Sequence, residues 1–322
     1  MLHEHTPSHL PAAAEPTFSH EALLYDGDGS YLAGIVPFIR EGVAAGEPIL
    51  VAVSAARIDL LSDVLGPDAD AVCFADMAEI GANPARIIPA WHEFLEERGE
   101  PGKPIRGIGE PIWADRKGDE LTECQLHEAL LNVAFDDADG FRLLCPYDVG
   151  ALGPAVIREA RCSHPVVVEG TDRGDSRVYR GRDAMPPQSE APLPPPPAGA
   201  RSLSFDADTL GEVRALVAAC GEAAGLDERR ESELVLAVHE LATNSVLHGG
   251  GIGVARAWHD DATAICEIRD RGRFADLLAG RRRPRPDQLG GWGLWIANST
   301  CDLVQIRTTT NGTTVRVRMR AH

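Results

Sequence analysis

Seven of the 22 residues from Gly181 to Ser202 are proline, four of them consecutive at Pro194–Pro197. Proline lacks an amide donor and fixes φ, so neither a helix nor a central strand runs through such a stretch. The chain therefore has to fold as two units, one on each side. The segment itself favours polyproline II and reads as a semi-rigid spacer; a ligand for a proline-binding module is the lesser reading. The total of 322 residues agrees, since about 150 residues per domain is ordinary. The expected boundaries are 1–18, a disordered N-terminus; 19–180, a first domain; 181–202, the linker; and 203–322, a second domain.

The net charge of −18 is unevenly placed. Residues 1–200 hold 15 Lys and Arg against 33 Asp and Glu, whereas residues 201–322 hold 16 of each. An acidic first half argues against direct nucleic-acid binding, which needs a basic face. No apolar run approaches the roughly 20 residues of a membrane span. The opening MLHEHTPSHLPAAAEP has neither the basic start nor the apolar stretch of a secretory signal, so a cytoplasmic location is expected. The seven cysteines are scattered and never spaced C-x-x-C. That argues against a disulfide framework and against a structural zinc site, and for reduced, buried thiols.

In the first half, short apolar runs alternate with helical patterns. The runs are Ile49–Ser54, Ala71–Ala75, Ile105–Gly109, Arg142–Cys145 and Val166–Glu169, and helical stretches fall near 30–45, 55–65, 84–98, 119–135 and 152–161. Near-continuous apolar strands separated by helices predict a βαβ series around a parallel sheet. Such sheets bind ligands beyond the carboxyl ends of their strands. Polar residues collect there: Ser54, Asp76, Glu110 with Trp113, and Tyr147 with Asp148, with His20, Glu128 and Asn132 able to join them. The plainer reading is packing for the aromatic residues and solvated turns for the carboxylates. A metal set of His20, His127 and Cys145 is the weaker alternative. Nothing reads G-x-x-x-x-G-K-[ST], so a P-loop is not expected.

The second half has a different order. A strand at Leu203–Phe205 precedes helices over 207–224 and 227–247, and two alternating strands follow at 252–259 and 263–269. A loop rich in Arg and Pro (270–289), a helix at 293–300 and strands at 303–309 and 313–320 complete it, with Asn311-Gly312 as a hairpin signal. Segregated helices and strands predict an α+β domain, with helices on one face of a mixed sheet.

Three clusters in this half carry chemistry. Glu240 and Asn244 are four residues apart on the long helix, so they project from one face. A carboxylate and an amide one turn apart can hold a divalent ion and orient a hydroxyl; a solvated pair is the plain alternative. Asp270-Arg271-Gly272 ends a strand, where a carboxylate can accept from an exocyclic amine and a glycine admits a flat ring; alone it is a turn. Gly290-Gly291-Trp292-Gly293 opens a helix and frees amides for phosphate oxygens. Arg281, Arg282, Arg283 and Arg285 lie in the intervening loop, facing phosphates, an acidic surface or solvent.

Taken in order, ELATNSVLHG, DRG, GGWGLWIAN and a Gly-Thr-Thr-Val strand resemble the GHKL (HATPase, Bergerat) ATP-binding fold over about 201–322, and LVLAVHELATNSVLHGG resembles its RsbW-like anti-sigma-factor serine kinase branch. The resemblance implies an α+β sandwich binding ATP and Mg²⁺. Glu240 would act as general base or position the attacking hydroxyl, Asn244 would hold Mg²⁺, and Asp270 and Gly272 would meet the adenine. Gly291 and Gly293 would let the lid and helix start cover the phosphates, and Thr313 or Thr314 would lie near the base. Phe274 stands where the family often has a second glycine.

HEALLYDGDGSYLAGIVPFIREGVAAGEPILVAV, GEPIWADR, HEALLNVAF and LLCPYD resemble the MEDS sensory domain over about 19–170, as found fused to such kinases in RsbA-like regulatory proteins. The resemblances together imply an anti-sigma-type regulator, a serine/threonine kinase acting on a STAS-type anti-sigma antagonist, with a sigma factor as the other client. A small-molecule effector on the first half and a homodimer are further expectations; a membrane partner is not. The rival readings are an ATP-dependent binding switch without catalysis and an atypical histidine kinase. A 22-residue linker cannot transmit a rigid rotation, so coupling requires direct docking of the two halves or a dimer contact.

Overall fold

The computed structural model describes residues 18–116, 118–288 and 290–321. The expected disordered N-terminus lies outside these residues except at Phe18, which opens the first strand.

The first domain is a seven-stranded sheet flanked by helices on both faces. Its elements are β1 (Phe18–Tyr25), α1 (Gly27–Ala45), β2 (Ile49–Val53), α2 (Ala55–Leu65), β3 (Cys73–Asp76), α3 (Met77–Ile80), α4 (Ile87–Arg98), β4 (Ile105–Gly109), α5 (Gly118–Ala134), β5 (Phe141–Asp148), α6 (Pro154–Ser163), β6 (Val166–Glu169) and β7 (Asp172–Asp175). The strand order is β3-β2-β4-β5-β1-β6-β7. Every pairing is parallel except β6 with β7, whose exposed DRGD sequence suits a sheet edge. Tyr31, Ile35, Phe38 and Leu61 form the core on one face, and Trp91, Phe94, Leu130 and Val156 form it on the other.

Strand β1 lies inside the sheet, between β5 and β6, and the sequence marks it only by the short apolar run Ala22–Tyr25. Its FSHEALLY buries His20 and Glu21. A polar pair inside a central strand masks the hydrophobic signal, and only tertiary partners make its burial tolerable. Glu21 has such a partner: Arg173 of β7 donates to both of its oxygens, at 2.8 and 2.9 Å.

Between the domains the chain forms one short helix, α7 (Pro187–Glu190), then extended proline-rich backbone. The second domain comprises β8 (Arg201–Phe205), α8 (Leu210–Ala224), α9 (Glu228–His248), β9 (Gly253–Asp260), β10 (Thr263–Asp270), α10 (Trp292–Thr300), β11 (Leu303–Thr309) and β12 (Gly312–Arg320). Asp227 starts α9 by accepting from the Arg230 amide at 2.8 Å. The sheet order is β11-β12-β10-β9-β8, and all pairings are antiparallel where a mixed sheet was expected. Each strand follows its neighbour through a hairpin or lies at an edge, so no parallel crossover is needed.

The two faces of this sheet differ. Ala264, Cys266 and Ile268 face α8, α9 and α10. Glu267, Arg307 and Arg316 on the opposite face are also buried. Glu267 accepts from Arg256 at 2.8 Å and from Arg316 at 2.6 Å, and Arg316 also donates to the Pro194 carbonyl at 2.6 Å. The proline-rich segment thus covers the polar face of the sheet rather than spanning solvent.

The domains dock directly. Arg316, Arg318 and Arg320 alternate along β12 and so share that face. Arg318 pairs with Asp119 and Arg320 with Glu120, both in the first turn of α5. Deeper in, Glu123 of α5 lies 2.7 Å from Arg307 and 3.7 Å from Arg281, all three buried. The acidic excess of the first half is spent partly on this arginine stripe. Leu278, from the loop after β10, joins the core of the first domain. The last carbonyls of α10 are capped across the interface: Asn298 O accepts from Asn83 at 3.0 Å and Arg86 at 2.9 Å, and Cys301 O accepts from the same two side chains.

Candidate functional site: a nucleotide-sized cavity and two buried polar clusters

A cavity of about 490 Å³ opens between α9, the end of β10, the following loop and the start of α10. Asn244, Asp270, Gly272, Gly291 and Thr313 are all in its wall, with Leu241, Ile268 and Val315 supplying an apolar surface. The strand register explains the convergence. Asp270 is paired with Thr313, so the end of β10 and the start of β12 present both side chains to one place. Asp270 is held there: its Oδ2 accepts from Ser245 Oγ at 2.5 Å and its Oδ1 from the Gly272 amide at 2.7 Å. Thr313 Oγ1 donates to the Gly272 carbonyl at 2.9 Å, which pins the turn.

Gly291 caps α10 with φ at 90°, a left-handed conformation that a side chain disfavours. Gly293 solves a packing problem. A Cβ at this position would lie 2.5 Å from Asn244 Nδ2 and 3.3 Å from Glu240 Cβ. Only glycine lets the first turn of α10 seat on the α9 face that carries both residues. Glu240 itself is half-buried one turn before Asn244 and is outside the cavity wall.

Two choices that the sequence left open are separated here. Thr314 points away from the cavity and lines a groove with Pro192–Pro197 on the opposite face, because adjacent residues of a strand alternate. Of the four arginines, Arg282 and Arg283 are in the cavity wall, whereas Arg281 turns to Glu123 of the first domain and Arg285 is exposed beside Asp287. Phe274 lies in the wall, on the same loop.

The residues grouped in the first domain separate. Glu110, Tyr25 and Asp148 stand at the carboxyl ends of β4, β1 and β5. Tyr25 Oη donates to Glu110 Oε1 at 2.7 Å. Asp148 accepts from the amides of Gly150 and Ala151, ordering the turn after β5. Burial pushes the Glu110 carboxyl up to about 7, against the Tyr25 hydrogen bond and the nearby Arg57, and Asp148 adds to the rise. A carboxyl raised in the folded state stabilises below its unfolded value of about 4.5, and this contribution is lost as pH rises toward 7. The wild-type stability, measured relative to Glu110→Gln, should therefore fall by about 3 kcal/mol from pH ~4.5 to pH ~8. Denaturant titrations across that range test this; a constant difference would mean that Glu110 titrates normally.

His20, Glu128 and Tyr147 belong to a second cluster, inside the domain, on the α5 side of the sheet. Cys145 and His164 complete it. His20 Nε2 lies 3.3 Å and His164 Nε2 3.1 Å from Glu128 Oε2, and Cys145 Sγ lies 3.5 Å from His20 Nε2. The Tyr147 ring stands edge-on to His164 at 5.5 Å. Burial pushes His20 down to about 4 and His127 down to about 3, so both rings are neutral at pH 7. His127, adjacent to Glu128 on the helix, projects elsewhere and is not part of the group. His164 carries no signal in the sequence beyond its place two residues before the β6 run. Trp113 joins neither cluster and stacks under Arg116 at 4.1 Å.

A family model described as the MEthanogen/methylotroph, DcmR Sensory domain (MEDS) matches residues 19–165, and one described as a histidine kinase-like ATPase domain matches residues 203–319. No curated protein matches the chain. Among solved structures, the RsbU and RsbW domains of a Mycobacterium tuberculosis protein are 22% identical, covering 38% of this chain and 33% of that one, with a TM-score of 0.29. The cytoplasmic domain of EssC is 14% identical, covering 51% of this chain and 33% of that one, also at 0.29. This chain thus spans a third of the length of each. No helix among the described residues is long and apolar enough to cross a membrane. The chain thus joins an N-terminal MEDS sensory domain to a C-terminal histidine kinase-like ATPase domain.

Proposed function

We propose that the protein is a cytoplasmic regulator of the anti-sigma-factor type, in which the second domain binds ATP with Mg²⁺ and phosphorylates a serine or threonine of a STAS-type antagonist under control of the first domain. The observation that carries this reading is the single cavity walled by Asn244, Asp270, Gly272, Gly291 and Thr313. In it Asp270 accepts from the adenine amino group, and Gly272 leaves room for the ring. Asn244 suits a metal ligand, since its side chain sits where the glycine at 293 leaves space beside the helix start. A bound Mg²⁺ neutralises phosphate charge. Glu240, one turn away, takes the acceptor hydroxyl proton or orients that hydroxyl. Arg282 and Arg283 supply positive charge to the wall.

Docking favours control by the first domain. Leu278 and Arg281 both belong to the loop between β10 and α10, and both are held by the first domain. An effector that changes this docking moves the wall of the cavity. Coupling of this kind typically amounts to ~1–3 kcal/mol.

The test is radiolabelled ATP with the full chain and candidate antagonists retrieved with it. Acid-stable label on the antagonist is expected. Acid-labile label on this chain would make it a histidine kinase, and nucleotide binding without any transfer would make it a switch; either result overturns the kinase assignment.

A further inference from the structure

We propose that His20, Glu128, Cys145 and His164 form a buried four-coordinate site for a divalent metal of the zinc class. One donor atom from each residue lies within 4.8 Å of the other three, and all four residues are buried. They come from four separate elements: β1, α5, β5 and the turn after α6.

The hydrogen-bond pattern around the group calls for a cation. Asn132 Nδ2 donates to the Ser163 carbonyl at 2.8 Å, so its Oδ1 is the atom that faces His20 Nδ1 at 3.1 Å. His20 Nδ1 therefore carries the proton. His164 Nδ1 is 2.8 Å from the Ala160 carbonyl, which only accepts, so it too is the protonated nitrogen. Both rings consequently turn an Nε2 lone pair toward Glu128 Oε2. Both oxygens of Glu128 and His164 Nε2 are buried without a hydrogen-bond partner. The Cys145 thiol can donate to His20 Nε2 at 3.5 Å, but the His164 Nε2 lone pair and Glu128 Oε2 meet at 3.1 Å in a dry interior and repel one another, and an unpaired buried charge is costly.

A metal ion resolves the conflict. Zinc binds imidazole nitrogen and carboxylate oxygen at about 2.0–2.2 Å and thiolate at about 2.3 Å, so tetrahedral coordination places donors about 3.3–3.6 Å apart. The separations of 3.1, 3.3 and 3.5 Å are close to those edges. A mixed nitrogen, sulfur and oxygen set suits zinc rather than calcium or magnesium. On binding, the Cys145 S–H bond is replaced by an S–metal bond and the proton passes to solvent. Thiolate and carboxylate then balance the two positive charges, which suits full burial. Four protein ligands leave no open position, as in a structural rather than a hydrolytic zinc site. The second contacts to Asn132 and Ala160 fix the rings, as metal-bound histidines require. The expectation against zinc rested on cysteine spacing; this site uses one cysteine and has no spacing signature.

The site ties α5 to the sheet. The same helix carries Glu123, which holds Arg281 and Arg307, so metal occupancy sets the footing of the docking surface.

The experiment uses the full-length protein purified without chelator. Elemental analysis should find one equivalent of metal. After removal and reconstitution with Co²⁺, the visible bands of tetrahedral cobalt and a near-ultraviolet thiolate-to-cobalt band should develop. Cys145→Ala should lose the thiolate band, and its unfolding temperature should no longer respond to chelator, whereas that of the wild type should fall. Asn132→Ala should weaken metal affinity about 10–100-fold. Should Cys145→Ala fail to fold, the metal content and the cobalt spectrum of the wild type decide alone. Metal-free protein that gives neither cobalt band on reconstitution overturns the proposal.

Discussion

Glu123→Ala should destabilise the protein by about 3–5 kcal/mol, the usual result of removing one partner from a buried ion pair. Glu123 is the only carboxylate in contact with Arg281 and Arg307 among the described residues, and all three side chains are excluded from water. Truncation leaves two guanidinium groups facing each other in the interface. The repulsion should part the domains before either unfolds. Equilibrium denaturation should then show the transition shifted to lower denaturant or split in two. Removing all the charges, as in Glu123→Met with Arg281→Met and Arg307→Leu, should recover much of the loss, since a hydrophobic replacement carries no desolvation cost. A loss below ~1 kcal/mol in the single variant would show that the triad contributes little to docking. The same variant frees Arg281 from the first domain, so its nucleotide affinity should differ severalfold from that of the wild type.

In the ATP cavity, Asp270→Asn should weaken binding about 10–100-fold. A hydrogen bond to a charged acceptor is worth about 1.5–3 kcal/mol. Asp270 uses one lone pair on each oxygen for Ser245 and Gly272, which leaves the remaining pairs for a ligand amine. An asparagine can keep both partners, with Oδ1 on the Gly272 amide and an N–H donated to Ser245 Oγ, which also reaches the Leu241 carbonyl, but it loses the charge and one of the two acceptor oxygens that a ligand amine would meet. Asn244→Ala should act differently: affinity without Mg²⁺ should be retained, and the gain on adding Mg²⁺ should disappear. Isothermal titration with ATP, with and without Mg²⁺, separates the two effects. Wild-type protein that fails to bind at millimolar ATP, or variants indistinguishable from it, would remove the cavity from consideration.

Much of the second domain was legible before any coordinates. The apolar positions of α8 and α9 repeat at helical spacing, Gly225 and Gly249 end them, and Asn311-Gly312 turns the final hairpin. These are local signals, decided within one or two turns of chain. The resemblance carried by ELATNSVLHG, DRG and GGWGLWIAN then identified Asn244, Asp270, Gly272 and Gly291, which do meet at one cavity. Which of Thr313 and Thr314 faces it was not legible, because strand register sets that choice and depends on pairing with β10.

The first domain was legible as alternating strands and helices but not as a set of sites. Glu110 and Asp148 stand at strand ends, as an open parallel sheet leads one to expect, and Tyr25 was overlooked beside them. His20 does meet Glu128, with which it was grouped, but Glu110, Trp113 and Asp148 stand apart from it, and β1 is hard to read because buried His20 and Glu21 break its apolar pattern.

By itself the sequence indicated two folding units, their classes, and several residues that line the cavity of the second domain, since periodicity, caps and turn residues act over a few neighbours. Tertiary structure alone decided how the units meet. The proline-rich segment covers a sheet face because that face carries buried Arg316, which donates to the Pro194 carbonyl. Arg281 faces the first domain rather than the cavity because Glu123, distant in sequence, lies within reach. His20, Glu128, Cys145 and His164 converge because four elements pack around them. Partners so far apart in the chain leave no local pattern, and only the packing that buries them brings them together.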